Sequence, residues 1–256
     1  MRPININLGA EYKHVRIYVL GDWHVGNNYC NMEEIKRTID VIKNDPLAKV
    51  IIVGDLIENI TKLSKGNIYQ QDITPTEQLQ IITDLLRPIR DKIIGITQGN
   101  HENRSDESGI EITKLLAYNL GLLELYCREG IYIFLSFGIK DCKQNCRHTF
   151  RIYAKHMGGI DPRKMKDVCN ADLYVSGHTH NFKHFIEGYY EGSERIDGVL
   201  TLKTRAFVVT TSYLNYGGYA EDKNYTPSVI SQPVIDLSYT TKDKKERKII
   251  QVTEMI

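Results

Sequence analysis

The chain has 256 residues, 41% hydrophobic and 25% charged, proportions of a folded globular protein rather than a disordered or fibrous one. Its 33 Lys and Arg against 32 Asp and Glu leave a net charge of +1, which excludes a uniformly basic nucleic-acid coat and a strongly acidic tail but leaves room for a local basic patch. No run of about 18 apolar residues offers a membrane span, the N-terminal stretch lacks an apolar signal core, and the five cysteines are odd in number and irregularly spaced, so a cytoplasmic protein with free thiols is expected.

In chain order, residues 15–20 (VRIYVL) are short, β-branched and stopped by Gly21-Asp22, which predicts a buried strand. Asn31 caps a helix with Glu34 at its third position and Ile35, Ile39 and Ile42 on its inner face, and Asp45-Pro46 ends it. Residues 49–53 predict a second strand before Gly54-Asp55, and the polar residues 59–72 a long loop. Thr74-Pro75-Thr76-Glu77 is a helix start with cap, proline and reciprocal glutamate, and Leu79, Ile82 and Leu86 form the inner face. Residues 93–97 predict a third strand before Gly99-Asn100, and Ser108 the cap of a helix running to Asn119. Beyond Gly130 the pattern is β-rich, with strands predicted over 131–137, 150–154, 173–176, 199–211, 229–237 and 248–252, and one short helix at Asp161-Pro162. There is no linker, repeat or low-complexity tract, so the expectation is one domain over residues 1–256 with two packed sheets.

Five polar clusters each follow an apolar β run: Asp22-Trp23-His24, Gly54-Asp55, Gly99-Asn100-His101-Glu102, His156, and Gly177-His178-Thr179-His180. Open α/β sheets place ligands at the carboxyl ends of their strands, so these clusters are expected to converge along one sheet edge. Imidazole, carboxylate and amide oxygen suit Zn, Mn, Fe or Ni. In Asp-x-His and His-x-His, alternate residues of an extended stretch face one side and can reach one site. A random chain of this composition would contain Gly-His-x-His roughly 0.02 times and Gly-Asn-His about 0.04 times.

This series resembles the calcineurin-like metallophosphoesterases, whose pattern is Asp-x-His, Gly-Asp, Gly-Asn-His-Asp/Glu, a lone His, then Gly-His-x-His. The resemblance spans residues 15–182 and is also similar to bacteriophage- or prophage-type members. It implies an α/β fold, a two-sheet β sandwich flanked by helices in four αββα layers, holding two divalent metal ions, manganese first and Fe, Zn or Ni as alternatives. It implies that Asp22, His24 and His180 bind one ion, that Asn100, His156 and His178 bind the other, and that Asp55 bridges both. A metal-bridging hydroxide would then attack the phosphate ester, with His101 stabilising the transition state or protonating the leaving oxygen. Glu102 stands where a carboxylate partner would orient His101. Two divalent ions against two carboxylates and a hydroxide leave a net positive charge that attracts phosphate.

The chain departs from the phosphoprotein phosphatase branch, reading Gly-Asp-Leu-Ile-Glu-Asn-Ile where that branch has Gly-Asp-x-x-Asp-Arg-Gly. Glu58 takes the second acidic position and is assigned no role. Arg104 is read either as a phosphate contact replacing the missing arginine or as a solvated loop residue. The preferred substrate is therefore a phosphodiester, of nucleic acid or nucleotide type. The alternatives are a phosphomonoesterase acting on nucleotides or phosphoproteins, and a non-catalytic binding module on the same fold. His14, His148 and His184 are read as structural. Cys142 and Cys146 with His148 lack a second ligand pair for zinc and read as a surface loop. Tyr213, Tyr216, Tyr219 and Tyr225 either stack nucleobases or belong to half-buried loops, the preferred reading. The lysine-rich residues 242–248 read as a solvated turn.

Overall fold

Residues 15–20 and 48–53 are apolar on both sides of the strand, so they need cover on both faces. A second sheet covers one face and helices cover the other. Val15, Ile17, Val19, Ile51 and Val53 join the layer between the sheets, while Tyr18, Leu20, Val50 and Ile52 join the layer under the helices.

The computed structural model describes residues 1–62, 68–139, 147–157, 159, 161–192, 198–242 and 245–255. Its elements are β1 (Arg2–Asn7), β2 (His14–Leu20), α1 (Met32–Asn44), β3 (Ala48–Ile52), α2 (Pro75–Leu86), β4 (Ile93–Ile96), α3 (Ile112–Leu120), β5 (Ile131–Phe137), β6 (His148–Lys155), β7 (Leu173–Ser176), β8 (Lys183–Gly192), β9 (Leu200–Val209), α4 (Tyr219–Asp222), β10 (Gln232–Lys242) and β11 (Lys245–Met255). One sheet runs β11-β10-β2-β3-β4 and the other β1-β5-β6-β7-β9-β8. In the first, β2, β3 and β4 are parallel; in the second, β6, β7 and β9 are parallel. Two mixed sheets flanked by helices are the expected α/β sandwich. The outer face of the six-stranded sheet is covered by the 3-10 turn Pro162–Asp167, with Met165 packed near Tyr153, Tyr174 and Phe207.

The helix starts follow local chemistry. The Asn31 side chain accepts the Glu34 N–H at the head of α1, and Thr74 and Glu77 close a reciprocal capping box on α2. The cap expected at Ser108 is not formed. Ser108 ends a 3-10 turn, Gly109 takes a left-handed conformation (φ 72°), and α3 begins after Glu111 without a side-chain cap. Strands β1 and β8 were not predicted. β1 is polar at alternate positions and β8 alternates between half-buried and exposed residues, which leaves little apolar signal for either. Within the loop expected at 59–72, Ile68–Gln70 forms a 3-10 turn. Cys142 and Cys146 lie outside the described residues, as do residues 243–244 of the lysine-rich turn. No described helix is long and apolar enough to cross a membrane.

Candidate metal centre

The clusters meet where the carboxyl ends of β2, β3 and β4 face those of β6 and β7. The site therefore spans two sheets, not the single sheet edge expected. The backbone at these ends is also not extended. Asp22, His24, Asp55, His178 and His180 have φ of 51°, 52°, 52°, 77° and 56°, the left-handed region that costs a non-glycine residue about 1–3 kcal/mol. Strain of this kind persists where surrounding bonds over-determine it. Here Asp22 N–H donates to Gly54 C=O (3.0 Å), His24 N–H to Asp55 C=O (3.1 Å) and Gly177 N–H to His156 C=O (2.9 Å). The His178 N–H donates to the Asp22 carboxylate at 3.0 and 3.1 Å. Trp23, between the two polar residues of its motif, turns into the core under the helices.

Three trios of donors form among the described residues, one of them His24, Glu58 and His101. Asp22, His24 and His180 offer ligand atoms within 4.8 Å of one another, and so do Asp55, His156 and His178. In the first trio the Nε2 atoms of His24 and His180 face each other at 3.1 Å, and His180 Nε2 lies 3.5 Å from Asp22 Oδ1. In the second, His156 Nε2 lies 3.0 Å from Asn100 Oδ1 and 3.2 Å from Asp55 Oδ2. The other ring nitrogen of His156 donates to Val53 C=O at 2.7 Å. With Nδ1 donating to Val53, Nε2 faces two oxygens, an arrangement satisfied by a proton on Nε2 or by a divalent cation that takes its place. The donor set thus fits divalent metal ions.

Electrostatics agree. Burial opposes ionisation of Asp55, but His156, His101 and His24 hold its carboxyl far below the usual range. Burial also disfavours a charged His156, yet Asp55 lifts it to about 9. His24 is raised against burial by Glu58, Asp55 and Asp22, whereas burial and His156 lower His178. The pocket's carboxylates attract positive charge wherever a ring can carry it.

Around His24, Glu58 and His101 sits a second network. His101 Nδ1–H donates to Glu58 C=O (2.9 Å), and Arg104 Nη2–H donates to His101 Nε2 (3.0 Å). A guanidinium has no acceptor, so this contact places the His101 proton on Nδ1. Burial and His24 push His101 down to about 4. Arg104 Nη1 also donates to Glu58 C=O (2.7 Å) and Oε1 (3.3 Å). Arg104 is thus part of the site's network and not a solvated loop residue.

The expected partnership of Glu102 with His101 is not formed. Glu102, 2% exposed, accepts the backbone N–H groups of Asp55 (2.9 Å), Leu56 (2.8 Å) and Gly99 (2.9 Å). It ties the loop after β3 to the loop after β4. Burial and the Asp55 charge raise its pKa, against the pull of His156 and those N–H groups. The carboxylates near the His101 ring are Asp55, whose Oδ2 lies 3.9 Å from Nε2, and Glu58, whose Oε1 lies 3.6 Å from His101 Nδ1 and whose Oε2 lies 3.2 Å from His24 Nδ1. Burial would raise Glu58, but His24, His101 and Asn27 hold it at about 2. Asn59 was also missed: its side-chain amide donates to His101 C=O at 2.8 Å and its oxygen accepts from Ser105. The second acidic position after Gly-Asp was the available signal for Glu58; nothing in the sequence singled out Asn59.

The remaining candidate side chains take no part in the trios. His148 is buried and stacks on Tyr239, His184 is exposed on β8, and His14 opens β2. Tyr213 is buried and bonded to Thr38, whereas Tyr216 and Tyr225 are exposed.

Two mixed sheets with such a donor set at their strand ends define a metal-dependent phosphoesterase. The calcineurin-like phosphoesterase family matches residues 15–182, and the chain belongs to that family. Its members are hydrolases of phosphate esters that use divalent metal ions. Among solved structures, it is similar to vacuolar protein sorting 29 from Cryptosporidium parvum, at 13% identity and TM-score 0.46, covering 95% of this chain and 100% of that one. It is also similar to a metallophosphoesterase from Sphaerobacter thermophilus, at 10% identity and TM-score 0.41, covering 94% and 89%. No curated protein matches the sequence significantly.

Proposed function

We propose that this chain is one domain that holds two divalent ions and hydrolyses phosphodiesters of nucleic acid or nucleotide type. The observation that carries this reading is the pair of donor trios at Asp22, His24, His180 and at Asp55, His156, His178, with His156 Nε2 turned inward by the Val53 contact of Nδ1. Asp22, His24 and His180 would hold one ion, and Asn100, His156 and His178 the other. Asp55 would serve both, since its charge is set by His24 of one trio and His156 of the other. Manganese is the first metal to try, and the sulfur-free donor set also suits Fe, Zn or Ni.

Bound divalent ions supply Lewis-acid polarisation of a phosphoryl group and lower the pKa of water toward neutrality. The protein's own groups do the rest. Glu102 and Asn59 hold the Asp55 and His101 backbones in place. Arg104 turns its free N–H groups to a phosphoryl oxygen. When the guanidinium moves from His101 to that oxygen, His101 Nε2 takes up a proton from solvent, with the Glu58 carboxylate beside the charged ring, and passes it to the leaving oxygen. The diester preference is supported by charge: the only guanidinium in this network is already shared with Glu58 and His101. A monoanionic diester needs less neutralisation than a dianionic monoester.

The test is hydrolysis of bis-p-nitrophenyl phosphate and p-nitrophenyl phosphate by metal-stripped protein before and after Mn²⁺ addition. Diester cleavage that returns with metal is expected. Monoester cleavage alone would transfer the assignment to a phosphomonoesterase, and metal binding without cleavage of either would favour a binding module.

A further inference from the structure

The loop leaving the metal centre carries a tyrosine with an unusual seat. Asn27 N–H donates to His24 C=O (2.9 Å), and the Asn27 side chain donates to Glu58 Oε2 (3.1 Å). Two residues on, Tyr29 is fastened to a second loop that also starts at the site. Tyr213 N–H donates to Asp22 C=O (3.1 Å), Asn31 N–H to Tyr213 C=O (2.8 Å), and Asn215 N–H to Tyr29 C=O (2.8 Å). Cys30 pairs with Leu214 in an isolated bridge between the loops.

The Tyr29 ring lies against Gly217 and Gly218. A Cβ on Gly217 would overlap the ring, and one on Gly218 would stand 2.6 Å from its Cε2. Gly218 also has φ +54°, a conformation glycine adopts without strain. Only glycines admit the ring there, so its back is fixed against peptide groups while 36% of the residue remains exposed, with Tyr216, 45% exposed, in the same loop pair. A partly exposed aromatic ring braced on glycine backbone, two residues beyond the Asn27 contacts with His24 and Glu58, offers contact area at low entropic cost, and every nucleobase has a π face to lay on it.

We propose that Tyr29, braced by Gly217 and Gly218, is a stacking platform for the nucleobase adjoining the scissile phosphate. The inference rests on the phosphoesterase reading above and adds the residue that would select nucleoside esters over small alkyl esters. The base binds by stacking, so the platform discriminates planar from non-planar substituents and not one base from another.

The experiment compares kcat/KM for thymidine 5′-(p-nitrophenyl phosphate) with that for methyl p-nitrophenyl phosphate, in the metal-loaded chain of 256 residues. The wild type is expected to prefer the nucleoside ester. In Tyr29→Ala this preference ratio is expected to fall between about fivefold and a hundredfold, the range for loss of one stacked base. Tyr29→Leu, which keeps bulk against the glycines, should lose the ratio likewise, and Tyr29→Phe should keep it within about twofold. A wild-type ratio near one overturns the proposal. So does a ratio that survives in both Tyr29→Ala and Tyr29→Leu. If only monoesters are cleaved, the diester reading fails, and the same ratio for thymidine 5′-phosphate over methyl phosphate decides the platform by the same criteria. An enzyme that cleaves none of the four substrates overturns both.

Discussion

Replacing Glu102 with glutamine tests whether the active-site loops are held by a buried carboxylate clamp. The side chain keeps its size but loses one acceptor. Oε2 receives two N–H groups, from Asp55 and Gly99, and Oε1 receives one from Leu56. The amide oxygen would keep the first two bonds, leaving an NH₂ facing the Leu56 N–H. One charge-assisted bond, worth about 1.5–3 kcal/mol, is lost, and a buried donor left unmatched adds about 1–3 kcal/mol. Relief from burying a charge offsets part of this. The net expectation is about 2–4 kcal/mol, or about 4–8 °C in Tm for a chain of this size. The released Asp55 backbone, held at φ 52°, should also relax, lowering kcat. Thermal melts by circular dichroism, with metal-dependent turnover in parallel, provide the readout. A Glu102→Gln variant melting within about 1 °C of the wild type would refute the clamp.

Further expectations concern other parts of the molecule. His101→Ala should lower kcat about 10²- to 10⁴-fold while leaving bound metal per chain unchanged by elemental analysis; undiminished turnover would remove His101 from the mechanism. Burial would raise the Asp172 carboxyl, but Lys248 and Arg151 hold it below the usual range, so its stabilisation is present above the unfolded value of about 3.9 and lost as pH falls. Melts between pH 3 and 7 should show a steeper acid decline for wild type than for Asp172→Asn, and parallel curves would contradict this. Gly54→Ala and Gly121→Ala both place a methyl at positive φ, 89° and 72°, but only at Gly54 would it overlap backbone, that of Gly99. Gly121→Ala should cost only about 1–2 kcal/mol, while Gly54→Ala should cost clearly more in urea unfolding. Equal midpoints would show that the loops after β3 and β4 are not closely packed.

Five polar clusters behind apolar runs made most of the site legible before any fold was known. Each residue type brought its own chemistry, and the sharp turns after strands located them. What the pattern could not carry was direction. Asp22 and His24 reach one trio through left-handed backbone, not through strand alternation. Glu102 looked like a partner for His101 by adjacency, yet the 3-10 turn that begins there aims it back at the loop after β3.

The sequence determined by itself that β2 would be a buried strand and β3 a second strand, that capping residues would start α1 and α2 after Asn31 and Thr74, and that metal-binding residue types would follow apolar runs. These depend on spacing between near neighbours, which sequence records directly. Only the tertiary structure decided that two sheets share one site, that Glu58 and Arg104 hold the His101 ring, and that Tyr29 rests on Gly217 and Gly218. Those contacts join residues far apart in the chain, and their geometry is set by how the sheets pack.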